Sequence, residues 1–235
     1  MTIEHYYTKT PKSKLVDYSF SAKVFGINLK FKTASGMYSP KKLDVGSIVH
    51  IEHAIIRNKD KVLDLGCGYG AVGITIKKLY PLSSVVMVDI NERAVKYAKE
   101  NAALNKVKAE VFQSDVFENV KDKDFNTILL NPPVNAGLKV CYKMIGGSFE
   151  HLKLGGTLQT VLRPREGGAR LINKMKSVFG NVKILGSKSI YEVWISKKES
   201  SEPASEYNRS MANYCLLYTS PSPRDRTRSR MPSSA

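Results

Sequence analysis

The chemistry-bearing residues of the chain begin at Asp64-Leu65-Gly66-Cys67-Gly68-Tyr69-Gly70, where the β-branched run KVLDL (61–65) passes into an amphipathic stretch. Glycine tolerates positive φ and carries no side chain, so Gly66, Gly68 and Gly70 let a ligand press against the backbone. With Ala71 the run also satisfies GxGxxA, the pattern of a dinucleotide phosphate loop. The two readings part at Asp64. A carboxylate two residues before the first glycine repels a pyrophosphate but accepts a hydrogen bond from an ammonium or a hydroxyl.

Asp89 ends the next β-branched run, SVVMVDI (84–90), 25 residues after Asp64. A carboxylate there can accept from both hydroxyls of a ribose, with Ile90 beside it in the same contact set. Ser114-Asp115 follows the third run and offers a short acceptor for an exocyclic amine. Singly, each aspartate is as well explained by a strand end or a helix cap. Three in succession on one sheet edge place a ligand outside the carboxyl ends of the strands. A cationic, phosphate-free nucleoside such as S-adenosylmethionine meets that description, and a dinucleotide is the competing ligand. Cys67 has no base placed near it by spacing and reads as a packing residue.

Asn131-Pro132-Pro133-Val134 follows the run FNTILLN (125–131). The prolines fix the turn and remove backbone donors, leaving carbonyls as acceptors. An amine held by the Asn131 side-chain oxygen and the Pro132 carbonyl would have its lone pair aimed at an electrophilic methyl. Such catalysis works by orientation and electrostatics, with little need of a strong base.

Positioning these residues requires strands that alternate with helices. Further strands read at KAEVF (108–112), GTLQTVL (156–162), VKILGSK (182–188) and IYEVWIS (190–196), and helices at Ala71–Leu79, Glu92–Leu104, Leu138–His151 and Ala169–Phe179. Asn91 suits an N-cap. Seven strands with intervening helices predict an α/β, Rossmann-like sheet. The last two strands are too close for a crossover and must pair antiparallel. Ahead of them, Lys23–Thr33 alternates as a strand or hairpin, SGMYSPKK is turn-rich, and an apolar helix runs from about Val45 to Ile56. This N-terminal part, 1–60, reads as a basic cap beside the site, and 61–198 as the catalytic domain.

Across 235 residues, Lys and Arg outnumber Asp and Glu by 37 to 21, a formal +16 that favours a polyanionic partner. Lys9, Lys12, Lys14, Lys23, Lys30, Lys32, Lys41 and Lys42 interleave with Tyr6, Tyr7, Tyr18, Phe20, Phe25, Phe31 and Tyr38, as RNA docking with base stacking requires, although a solvated lysine surface has the same composition. Arg163, Arg165 and Arg170 are further candidates for a phosphate backbone. Three cysteines without a CxxC pair argue against a disulfide framework, and His5, His50, His53 and His151 have no metal spacing. No metal is expected. The same cysteine usage fits a reducing cytoplasm, and apolar runs far shorter than a bilayer span predict a soluble protein, with Trp194 in the core. From about Glu199 the composition turns to Ser, Pro, Glu and Arg and reads as a disordered tail. Residues 215–235 resemble a translated sequencing-library adapter. Without them the chain loses four arginines and one aspartate and keeps +13.

DLGCGYG, VDI, SDVF and NPPV, together with GMYSPKKLDVGS, resemble class I S-adenosylmethionine-dependent methyltransferases of the small-subunit ribosomal RNA guanine-N2 type, most of all the single-domain archaeal branch. The resemblance spans about His5 to Lys197. It implies that Asp64, Gly66, Gly68, Asp89 and Asp115 hold the cofactor, with Gly70, Ile90 and Asn131 also in contact with it, and that Asn131 and Pro132 address the target amine, with Pro133 and Val134 beside the base. Tyr38 and Asp44 would line the cofactor or base pocket. Many amino-methylating enzymes carry an aromatic where this chain has Val134, so the target base needs another ring, from Tyr38, Tyr69 or Phe31. The expected substrate is guanine N2 in ribosomal RNA, then transfer RNA, for a monomer or homodimer. Protein glutamine N5-methylation shares the Asn-Pro-Pro chemistry, and a non-catalytic RNA-binding module is the remaining alternative.

Overall fold

The computed structural model describes residues 7–11 and 14–204. His5, Tyr6, Lys12 and residues 205–235, with most of the expected tail, lie outside the described residues. A hairpin of β1 (Asp17–Val24) and β2 (Ile27–Ala34) comes first, followed by α1 (Val45–His53). The alternating unit then runs β3 (Lys61–Leu65), α2 (Ala71–Leu79), β4 (Ser84–Asp89), α3 (Glu92–Leu104), β5 (Glu110–Gln113), β6 (Phe125–Leu130), α4 (Leu138–His151), β7 (Leu152–Leu162), α5 (Gly168–Phe179), β8 (Lys183–Lys188) and β9 (Tyr191–Lys197).

Seven strands form one sheet in the order β5-β4-β3-β6-β7-β9-β8. Pairing is parallel from β5 through β7, and β9 lies antiparallel to both β7 and β8. The expected α/β architecture with an antiparallel last strand is therefore present. Chain order reverses at β3 and β6, which opens a crevice at their carboxyl ends. β7 starts four residues earlier than the sequence indicates, because Leu152 pairs with Phe125 across a register shift. α1 stops at His53, three residues short of the expected end, since Gln159 takes the backbone N–H and C=O of Ile55 with its side-chain amide, at 2.8 Å each.

Both sheet faces are covered. Ile74, Ile76, Met87, Ala98 and Leu129 lie in one apolar cluster with Leu29 and Phe31 of the hairpin, and Leu130, Ile145, Phe149, Leu171 and Met175 lie in the other. The hairpin shows why its lysines and aromatics alternate. Phe20, Leu29, Phe31 and Thr33 turn inward, whereas Lys23, Lys30 and Lys32 face solvent. Its two-residue turn, Phe25-Gly26, holds both residues at positive φ.

The hairpin's outer edge does not end in water. Asn101 of α3 accepts from Lys32 N–H at 2.7 Å and donates to Lys32 C=O at 2.8 Å, and Asn105 does the same for Lys30 at 3.0 and 2.7 Å. Two helical amides thus complete the ladder of β2. Asn101 also donates to the Tyr69 carbonyl at 2.9 Å, which ties the hairpin to the glycine loop.

Candidate active site

At the carboxyl ends of the strands lies a cavity of about 320 Å³. Loops after β3, β4 and β5 wall one side, those after β6 and β7 the other, and Met37, Tyr38 and Asp44 reach it from the segment between β2 and α1. All but one of the site residues expected from sequence line it: Asp64, Gly66, Gly68, Asp89, Ile90, Asp115, Asn131, Pro132, Pro133, Val134, Tyr38 and Asp44. Gly70 stands apart, at the left-handed N-cap of α2 with φ 89°.

The glycine loop is shaped by two buried carboxylates. Gly73 N–H donates to Asp64 Oδ2 at 2.8 Å, and Asp89 accepts from Gly68 N–H and Asn91 N–H at 2.8 Å each. A side chain at Gly73 would stand 2.6 Å from Met87 Sδ and 3.1 Å from Asp64 Oδ2, so glycine permits the close approach. Gly66 and Gly68 hold φ 78° and 56°, in the left-handed region. Burial pushes the Asp64 carboxyl up to about 7, with the Gly73 hydrogen bond opposing and the Asp89 charge adding. Burial raises Asp89 as well, against its backbone hydrogen bonds. The Cys67 thiol, buried beside both acids, is raised far out of the range of a nucleophile.

The third acid lies beyond its strand. β5 ends at Gln113, so Asp115 sits in the following loop, half exposed and 3.7 Å from Lys143. Ser114, expected as an acceptor for an amine, is buried and closes its own turn by donating to Val116 C=O and accepting from Asn119 N–H, both at 3.0 Å.

On the opposite wall Asn131 is the first residue past β6, and its side-chain amide makes no hydrogen bond among the described residues. The Pro132 carbonyl is less free than the sequence implies, because Val134 N–H donates to it at 2.9 Å. A carbonyl has two lone pairs, so one remains. Asp44 caps α1, accepting from Ser47 N–H at 2.8 Å, and accepts from the Tyr38 hydroxyl at 3.1 Å. Burial first, then Asp44, raises the Tyr38 phenol out of the physiological range.

Of the rings expected to serve a base, Phe31 is 1% exposed and does not line the cavity. Tyr69 lines it but is 5% exposed, held edge-on by Phe20 and Phe31. Both are core residues. Trp194 packs against the core as expected, its indole N–H on Glu192 at 2.9 Å. Of the three arginines only Arg163 lines the cavity. Sequence reading missed Tyr191, Ser47 and His50 as lining residues, since β9 and α1 bring them in through tertiary packing alone, and it missed Glu166 in the loop after β7. His50 donates through Nε2–H to the Gln159 carbonyl, 3.1 Å away. Burial lowers its ring to about 4, keeping it neutral. Among the described residues no group of three or more His, Cys, Asp or Glu could hold a metal, and no helix is long and apolar enough to cross a membrane.

The chain is 34% identical over 198 residues to the uncharacterised protein YbxB of Bacillus subtilis, covering 83% of this chain and 98% of that one. It is 36% identical over 138 residues to ribosomal RNA small subunit methyltransferase C of Haemophilus influenzae, covering 57% of this chain and 42% of that one. The chain thus spans about half the length of relatives of the second kind or less. Among solved structures, the T. thermophilus 16S rRNA N2 G1207 methyltransferase RsmC, in complex with AdoMet and guanosine, superposes with a TM-score of 0.71 at 27% identity over 80% of this chain and 52% of that one. The sequence profile of the methyltransferase small domain matches residues 28–195, from the second strand of the hairpin to the last strand of the sheet, and the chain belongs to that family.

Proposed function

We propose that the protein is an S-adenosylmethionine-dependent N-methyltransferase whose target is an exocyclic amine, guanine N2 of ribosomal RNA. The observation that carries this reading is the pairing of two walls in one cavity: buried carboxylates on the glycine loop, and the unpartnered Asn131 amide beside the Pro132 carbonyl. Five carboxylates line the cavity against one guanidinium, Arg163. In so acidic a site a pyrophosphate is disfavoured and a sulfonium or ammonium is favoured, so the donor set suits S-adenosylmethionine better than a dinucleotide.

In this reading Asp89 takes the ribose hydroxyls with the lone pairs its backbone donors leave, Ile90 lies beside the nucleoside, and Gly66 and Gly68 admit it against the chain. Asp64 faces its positive end and Asp115 its adenine side. S-adenosylmethionine, when bound, supplies a methyl group on an electrophilic sulfonium. Asn131 Oδ1 and the Pro132 carbonyl accept the two N–H bonds of the target amine and orient its lone pair, while solvent receives the proton released. Pro133 and Val134 pack beside the base. Tyr38 and Asp44 complete the rim.

The exposed lysines of the hairpin supply attraction for an RNA backbone outside the acidic cavity. We further propose that residues 1–60 act as this basic cap and 61–198 as the catalytic domain. The protein would work in the cytoplasm as a monomer or homodimer without a metal, and its archaeal affiliation rests on the sequence resemblance. Relatives named for small-subunit RNA methylation and the guanosine-bound T. thermophilus structure support the choice of base.

The test is incorporation of a labelled methyl group into small-subunit RNA, transfer RNA and a glutamine-bearing release-factor protein, followed by mass mapping of nucleosides. N2-methylguanosine in the ribosomal RNA is the expected product. Label confined to protein, or to transfer RNA, would replace the proposed substrate.

A further inference from the structure

The proposed reaction requires a surface for the target base, because a purine drawn out of an RNA stack loses the stacking of its neighbours. Val134 provides an aliphatic contact only, and Tyr69 and Phe31 are consumed by the core. A planar pair stands on the same side of the cavity as Asn131. The Arg163 guanidinium lies over the Tyr191 ring, its Cζ 5.9 Å from the ring centroid, and Arg163 Nη1 is held by Glu166 Oε2 at 2.6 Å. Bases stack on aromatic rings and on guanidinium planes alike.

Both members are fixed by contacts that glycine permits. A Cβ on Gly46 would stand 2.8 Å from Tyr191 Cε1, so the ring is seated on the first turn of α1. A Cβ on Gly167 would stand 3.2 Å from Val134 Cγ1, so the loop carrying Arg163 and Glu166 lies against the Asn-Pro-Pro turn itself. The stacked pair and the amine-holding turn are therefore mutually positioned by direct packing. Tyr38 and Tyr7 also line the cavity, but their hydroxyls are tied to Asp44 and to the Asn135 carbonyl.

We propose that Tyr191 and Arg163 together form the platform on which the target guanine stacks, with Glu166 positioning the guanidinium. The assignment rests on the function proposed above and adds the residues that recognise the base. Guanosine serves as the probe. In the wild-type protein, with the methyl donor's product present, its H8 and H1′ resonances shift upfield by ring current from Tyr191. Tyr191→Leu removes that shift and weakens guanosine by about 5- to 150-fold, the worth of one base stack. Tyr191→Phe retains both. Arg163→Met, which leaves the ring in place, weakens guanosine while binding of S-adenosylmethionine is unchanged.

Undiminished shifts in Tyr191→Leu, or their loss in Tyr38→Leu or Tyr7→Leu instead, would overturn the platform and leave the methyltransferase reading standing. A wild-type protein that binds S-adenosylmethionine but perturbs no guanosine resonance would overturn both the platform and the choice of base.

Discussion

Asp64 makes the proposed cofactor site sensitive to pH in a direction that can be worked out. Its carboxyl, 4% exposed, is raised by burial to about 7, and Gly73 N–H to Oδ2 is its hydrogen bond in the structure. A ligand carrying positive charge selects the ionised form, so affinity rises as pH passes upward through 7 and levels off above it. With a single site at that value, the dissociation constant weakens by about tenfold between pH 8 and pH 6. Binding near pH 7 must also release a proton. Calorimetry with S-adenosylmethionine in buffers of different ionisation enthalpy measures both quantities. Asp64→Asn keeps an acceptor for Gly73 but cannot ionise, so its affinity is low and lacks the Asp64 component of the pH slope. Stability moves the opposite way. An acid whose carboxyl is raised on folding contributes stability at low pH that is lost as pH rises from about 4 to 7, here about 4 kcal/mol for the rise from 3.8. Unliganded Asp64→Asn is therefore more stable than wild type at pH 8 and loses that advantage at pH 4. Equal pH slopes for the two proteins would refute the reasoning.

Asn131→Ala removes one of two acceptors for the amine and should lower kcat by about 10²- to 10³-fold, as loss of one oriented polar group does, with S-adenosylmethionine affinity retained on calorimetry. The neutral His50 ring, lowered to about 4, contributes stability present above pH 6.5 and lost as pH falls toward 4, about 3 kcal/mol in all. Urea titrations of wild type and His50→Gln should converge or cross over that interval. Asn101→Ala strips partners from Lys32 and Tyr69 and should cost about 2–4 kcal/mol, with hydrogen exchange of the Lys32 amide accelerated ahead of the sheet amides.

The parts of the site that could be read in advance are those written within one strand and its following turn. Asp64, Gly66 and Gly68 belong to one such unit, Asp89 and Ile90 to another, and Asn131–Val134 to a third, so local spacing alone fixes their place at the carboxyl edge. The largely parallel sheet followed from the same alternation, and its strand order did not. What stayed hidden depends on contacts between distant segments. Tyr191 enters the cavity only because β9 inserts between β7 and β8, and His50 because α1 packs over β7. The hairpin misled in a different way. Its rings and lysines alternate in sequence as a stacking surface would, yet period-two geometry sends Phe20 and Phe31 inward and leaves the lysines outside without them. Asp115 lies two residues past β5, which ends at Gln113, and still lines the cavity.

The amides of Asn101 and Asn105 also limit how such proteins can diversify. Because a single Asn101 side chain serves β2 and the Tyr69 carbonyl together, an N-terminal hairpin transplanted from a relative would need α3 asparagines at matching positions, or it would leave a raw strand edge open to aggregation and a slack nucleoside loop. Swapping the two as one unit, α3 included, is the recombination that this architecture tolerates.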